Sequence, residues 1–120
     1  MTHTGTRITV KSWLYKDAQS RAHKYNFTLI WENACFNDKT GAVIHDTDIE
    51  DFPTFKERGY QRAYNLVGTI TKETEKAVLV ECLYWNLNRA GRYVTDAPVC
   101  EGFKVWVPKT AILHGYKEAT

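Results

Sequence analysis

Residues 60–85 read YQRAYNLVGTITKETEKAVLVECLYW, and the architecture of the chain turns on them. Two runs rich in β-branched and aromatic residues, 60–71 and 76–85, flank the polar stretch KETE. Side chains of that kind suit a pleated, half-buried surface, and a short polar break between them returns the chain antiparallel to itself. The segment is expected to form a hairpin, and a sheet assembled from such hairpins is the frame for the other elements.

Upstream, NFTLIWENACF places Phe27, Leu29 and Trp31 on one face of a second strand-like run. Asn37, Asp38 and Gly41 then separate it from AVIH, which predicts another hairpin. Earlier still, Ile8 and Val10 alternate with Arg7, Thr9 and Lys11, the period of a short strand. From Ser12 the period lengthens: Leu14, Ala18, Ala22 and Tyr25 recur at helical spacing, with Ser12 available as an N-cap. The acidic segment DTDIEDFPTFKERG reads as a loop holding one helical turn, entered at Pro53 and left at Gly59. Downstream of the central hairpin, the connection NLNRAGRYVTDAPVCEG leads to a last strand, FKVWV. The expected fold is a single α+β domain over residues 1–120: a curled antiparallel β-sheet or small β-barrel with one or two short helices.

Composition narrows the function classes. Charged residues make up 25% of the chain and hydrophobic residues 43%, the balance of a folded globular domain rather than a disordered one. The longest uninterrupted apolar runs are short pieces such as Ala77 to Val80, far below the ~20 residues a membrane helix needs, so no membrane partner is expected. The start, MTHTGTRITV, has neither the basic stretch nor the apolar block of a signal peptide, and the expected location is the cytoplasm. Cys35, Cys82 and Cys100 form no CxxC pair, which points to reduced packing thiols instead of a disulfide frame or a zinc site. Net charge is only +2, but its sign is segregated. Residues 1–24 carry five Lys or Arg against Asp17, residues 25–57 carry seven acids against Lys39 and Lys56, and residues 58–120 carry nine bases against six acids. Such polarity can steer a phosphate-rich or charged protein partner without the strong basic footprint of a dedicated DNA binder.

The pairing of EKAVLVE with the later VWVPKTAI resembles the tail of small accessory proteins carried by bacteriophages and mobile elements. The resemblance implies a small β-rich accessory protein and no shared activity, so it transfers no site residue. The stretch 83–102 is longer than that compact form and reads as an added partner-binding element.

Several motifs bear on chemistry. In GFKVWVPKTAIL, Val105 and Val107 are expected on one side of the strand and Lys104 and Trp106 on the other. Pro108 then ends the ladder or sits on an edge, and Lys109 is either an edge marker against foreign pairing or a binding residue. GFKVWV echoes an RNA-stacking strand signature, although Glu101 stands where a base is expected. Tyr60, Arg62 and Tyr64 would share a face, an arrangement suited to stacking and phosphate contact, or to a cross-strand aromatic cluster with a charged rim. Asp46, Asp48, Glu50 and Glu57 fit four positions of a calcium-loop register, but Asp51 replaces its glycine and Pro53 interrupts it, so no metal and no cofactor are expected. The serines, Ser12 and Ser20, lack a glycine-framed elbow, and His3, His23, His45 and His114 are scattered. A pair such as His45 with Glu81 is the acid–base combination that folding could assemble.

The leading expectation is a non-enzymatic accessory binding protein that engages a host protein or nucleoprotein complex, with blocking of a defence system as one such role. Its candidate contact residues are Tyr60, Arg62, Tyr64, Arg89, Arg92, Lys104, Trp106 and Lys109. Direct binding of RNA or single-stranded DNA through the same groups is the first alternative. A small metal-independent nuclease using His45 or His114 is the second. Burial of these surfaces in a homodimer is a further expectation that would remove most of the candidate residues.

Overall fold

The computed structural model describes residues 6–86 and 100–115. Strand β1 (Thr6–Lys11) runs directly into helix α1 (Ser12–His23). Because Lys11 still pairs with Ala63 in the sheet, it occupies the N-cap position, and Ser12 is the first helical residue rather than the expected cap. Strands β2 (Phe27–Leu29) and β3 (Trp31–Asn37) follow, then β4 (Val43–His45). A 3-10 turn at Ile49–Asp51 leads into helix α2 (Phe52–Glu57), with Pro53 in its first turn and Gly59 beyond it at a φ of +91°. Strands β5 (Tyr60–Glu73) and β6 (Ala77–Asn86) form the expected hairpin. Strand β7 (Cys100–Pro108), a second 3-10 turn and the short β8 (Ile112–His114) complete the described chain.

The result is a mostly antiparallel, curled sheet with two helices, and it does not close into a barrel. Its organiser is β5, whose 14 residues are shared among three partners. Residues 60–66 pair with β3, residues 63–68 with β1, and residues 68–73 with β6. Past Cys82, β6 leaves β5 and pairs with β2 instead. The β2–β3 segment therefore lies in a fork between β5 and β6. Ile30 bridges the fork, donating to the Leu83 carbonyl at 3.0 Å and accepting from the Val67 amide at 3.4 Å. Gly68 stands at the crotch, where an added Cβ would lie 2.6 Å from the Glu81 carbonyl oxygen, so only glycine lets the two backbones approach.

Register divides the sheet into two faces, because residues directly opposite each other in antiparallel strands point the same way. The helix face carries Ile8, Val10, Leu29, Leu66, Val78, Val80, Cys82, Val105 and Val107, which pack under Leu14, Ala18 and Ala22 of α1. Tyr15 of α1 stacks on Tyr64 with ring centres 4.1 Å apart, and Trp31 closes that cluster. Gln19 reaches the open edge of β2, where its side chain accepts from the Leu29 amide at 2.8 Å. Among the described residues the other face carries no helix, and the polar residues of β1, β3 and β5 converge there.

Candidate functional site on the helix-free face

One row of directly opposed residues crosses four strands of this face: His114 on β8, Thr9 on β1, Asn65 on β5 and Glu32 on β3. Arg7 lies two residues from Thr9 on the same face, and His45 of β4 enters from beyond β3, opposite Ala34. A flat sheet would hold β8 and β4, four strand spacings apart, at about 19 Å. The rings of His45 and His114 have centres only 6.2 Å apart. The helix-free face is therefore concave here, a trough with Thr9 and Asn65 on its floor and the two histidines meeting across it.

Hydrogen bonding fixes the members of the trough in specific orientations. Asn65 is fully buried; its Oδ1 accepts from the Thr9 hydroxyl, and its Nδ2 donates to Glu32 Oε1 at 2.6 Å. A carboxylate can only accept, so the amide nitrogen must face Glu32. The same nitrogen lies 2.7 Å from His45 Nδ1, which must then be the acceptor, and the proton of a neutral His45 sits on Nε2. Glu32 Oε1 also receives the Arg7 Nε at 3.0 Å. The Arg7 side chain remains 54% exposed while that of Glu32 is 18% exposed, so the carboxylate is recessed and the guanidinium stands at the rim. His45 and His114 are exposed. An open groove lined by Trp31, Glu32, Asn33, Asp46, Thr47 and Asp48 continues from Glu32 on the β4 side. The trough thus has a cationic rim toward β1 and an acidic, hydroxyl-bearing rim beyond β4.

The sequence-based candidates fall in different places. Tyr60, Arg62 and Tyr64 share a face, but it is the helix face. Tyr64 is buried against Tyr15, while the Arg62 guanidinium lies 5.4 Å from the Tyr64 ring centre and 5.7 Å from that of Phe52. Tyr60 meets Phe55 of α2 edge to face. Lys104 and Trp106 do project opposite Val105 and Val107, onto the helix-free face, where Trp106 is 46% exposed. Lys109 pairs with Glu73 at 2.7 Å. Pro108 is the last residue of β7, opposite Ala77. Arg89 and Arg92 lie outside the described residues, as does most of the 83–102 connection, whose two ends belong to β6 and β7.

The structure does not join His45 to Glu81: Glu81 lies on β6 with Lys104 at 3.9 Å, and His45 is held by Asn65. Sequence reading missed Thr9, Glu32, Asn65 and Arg7. Their signal was weak but present, since Asn65 interrupts an otherwise apolar strand and Glu32 follows the inward-facing Trp31. Cys82 is fully buried, and burial pushes its thiol up to about 12, which disfavours the reactive thiolate. Among the described residues no group of three or more His, Cys, Asp or Glu is placed to hold a metal ion, and no helix is long and apolar enough to cross a membrane. No protein family, no curated protein and no solved structure matches the chain.

Proposed function

We propose that this chain is a binding protein for single-stranded RNA, with the helix-free face of the sheet as its surface. The observation that carries the reading is the concave trough, where Arg7, His45 and His114 present donors along one helix-free face that also bears Lys104 and Trp106. An uncovered strand face with an exposed aromatic suits base stacking, while its cations suit the phosphate backbone. Both described helices occupy the opposite face, so among the described residues no helix lies between a flexible strand and this one. The resemblance of the C-terminal strand pair to phage and mobile-element proteins supports a wider role as an accessory factor acting on a host nucleoprotein complex. In that setting the RNA component is what this face would touch.

The test is fluorescence anisotropy of a labelled single-stranded RNA of twelve nucleotides, titrated with the full chain at low and moderate salt. Binding is expected to weaken as salt rises, since phosphate contacts release counterions. Trp106→Ala is expected to weaken it about tenfold, the size of one lost base stack, with a smaller loss for Lys104→Ala. No binding at low salt overturns the reading, and so does binding that ignores Trp106, Lys104 and Arg7 substitutions together.

A further inference from the structure

We infer that the trough cleaves the RNA it binds, by metal-independent transfer of the phosphodiester to the neighbouring 2′-hydroxyl. The inference rests on the RNA-binding reading and assigns it a chemistry.

Cleavage of this kind needs a base for the 2′-hydroxyl, an acid for the leaving oxygen and fixed donors for the charge that develops on the phosphoryl oxygens. The trough supplies one candidate for each role. Glu32 uses Oε1 for both Asn65 and Arg7, which leaves Oε2 to accept a proton. Its two partners fix its direction, so that Oε2 is oriented before substrate arrives. His114 is exposed at the opposite rim, on the short edge strand β8, and is the acid. His45 cannot be the base at its outward nitrogen, because Nδ1 accepts from Asn65 and Nε2 carries the proton. It is instead a donor fixed by the trough floor, and with Arg7 it faces the phosphoryl oxygens. Two imidazoles with centres 6.2 Å apart can both reach one phosphodiester.

The step balances without any co-reactant. Glu32 takes the 2′-hydroxyl proton as the O2′–P bond forms. The P–O5′ bond breaks, and the protonated His114 gives its proton to the departing O5′. The products are a 2′,3′-cyclic phosphate and a free 5′-hydroxyl. Glu32 then holds one extra proton and His114 lacks one, and exchange with water restores both. The charge distribution orients the strand. Asp46 and Asp48 line the groove on the β4 side and repel phosphates, so the backbone follows the Arg7 and His114 rim while the neutral sugar and base lie toward the groove.

The experiment incubates the full chain, in excess chelator, with one end-labelled single-stranded RNA and with an all-deoxy strand of the same sequence. Products are resolved by size and their termini identified by mass. The expected result is cleavage of the RNA to cyclic-phosphate ends, with the deoxy strand bound but intact because it has no 2′-hydroxyl. Glu32→Gln and His114→Gln are each expected to lower the rate at least about 100-fold, the usual contribution of one acid or base. His114 lies at an exposed edge, so His114→Gln remains informative even where loss of Glu32 weakens folding, and thermal melts report folding for both. RNA that binds and stays intact overturns the inference while leaving the binding function standing. Cleavage at an undiminished rate in both variants overturns it as well. Failure of both strands to bind removes the binding function, and the cleavage assignment with it.

Discussion

The two faces of the sheet solve the problem of burial in opposite ways. Under α1 the helix face excludes polar side chains almost entirely, and its packing comes from Val78, Val80, Cys82, Val105 and Val107 against Leu14, Ala18 and Ala22. On the helix-free face Thr9 and Asn65 are just as fully removed from solvent, yet both are polar. The difference is that these two buried side chains are bonded into a network: hydroxyl to amide, amide to carboxylate and imidazole, carboxylate to guanidinium. A buried polar group with its bonds made is close to neutral for stability, whereas one left alone costs about 1–3 kcal/mol. The dry face can therefore only hold the fold together. The wet face can also present oriented donors and acceptors to a ligand.

Raising the pH probes the dry face most strongly. The folded chain holds the Cys82 proton until about pH 12, while the unfolded chain releases it near the ordinary thiol value of about 9. Above the unfolded value the unfolded state binds fewer protons, so stability falls as pH rises and levels off beyond the folded value. The slope is about 1.4 kcal/mol per pH unit, or about 4 kcal/mol over the whole window. Urea melts from pH 8 to 11 are expected to show this decline in the parent chain and a shallower one in Cys82→Ala. Parallel slopes in the two would mean that the helix face admits water at Cys82.

Asn65→Leu probes the wet face and ranks next. It strands the buried Thr9 hydroxyl and removes one partner each from Glu32 and His45, and a loss of roughly 1–3 kcal/mol is expected. Replacing Thr9 as well, in Thr9→Val with Asn65→Leu, is expected to recover part of that loss, because both members of one buried pair become apolar. Additive losses in the double variant would show that the two residues do not depend on each other, and the trough would not be a connected network.

The same contrast explains what could be read in the chain beforehand. Dry strands announce themselves: the alternation at Ile8 and Val10 and the apolar runs of residues 60–71 and 76–85 are local patterns, and the strands and hairpins they imply are present. Local pattern also led to the α1 helix and to Pro53 and Gly59 framing α2. The fork at Gly68 was not legible, because it depends on β2 and β3 choosing different partners far along the chain. The trough was hidden for a related reason. His114, Thr9, Asn65 and Glu32 come from four separate strands, and only register places them in one row. Curl then brings His45 to His114, and no spacing in the sequence encodes that distance. Tyr60, Arg62 and Tyr64 show the opposite limit: period two set their common face correctly, but could not say that α1 would cover Tyr64 and α2 would pack against Tyr60 and Arg62.

The smallest expected effect concerns the lysine that follows Pro108. Lys109 begins the turn after β7, with its amide bonded to the Lys76 carbonyl at 2.9 Å and its ammonium 2.7 Å from Glu73. Its side chain is only 19% exposed, so the charge lies against the end of the β5–β6 hairpin rather than out toward a ligand. Lys109→Met keeps the aliphatic stem and removes the charge, which is expected to lower stability by about 0.2–1 kcal/mol, the range of a partly exposed ion pair. RNA affinity is expected to stay unchanged, in contrast to Lys104→Ala on the helix-free face. If instead Lys109→Met weakens RNA binding as much as Lys104→Ala while the melting temperature holds, the binding surface wraps past the edge of β7. The functional contrast would then run between the two ends of the sheet, with the helix-free face no longer the sole carrier of ligand contacts.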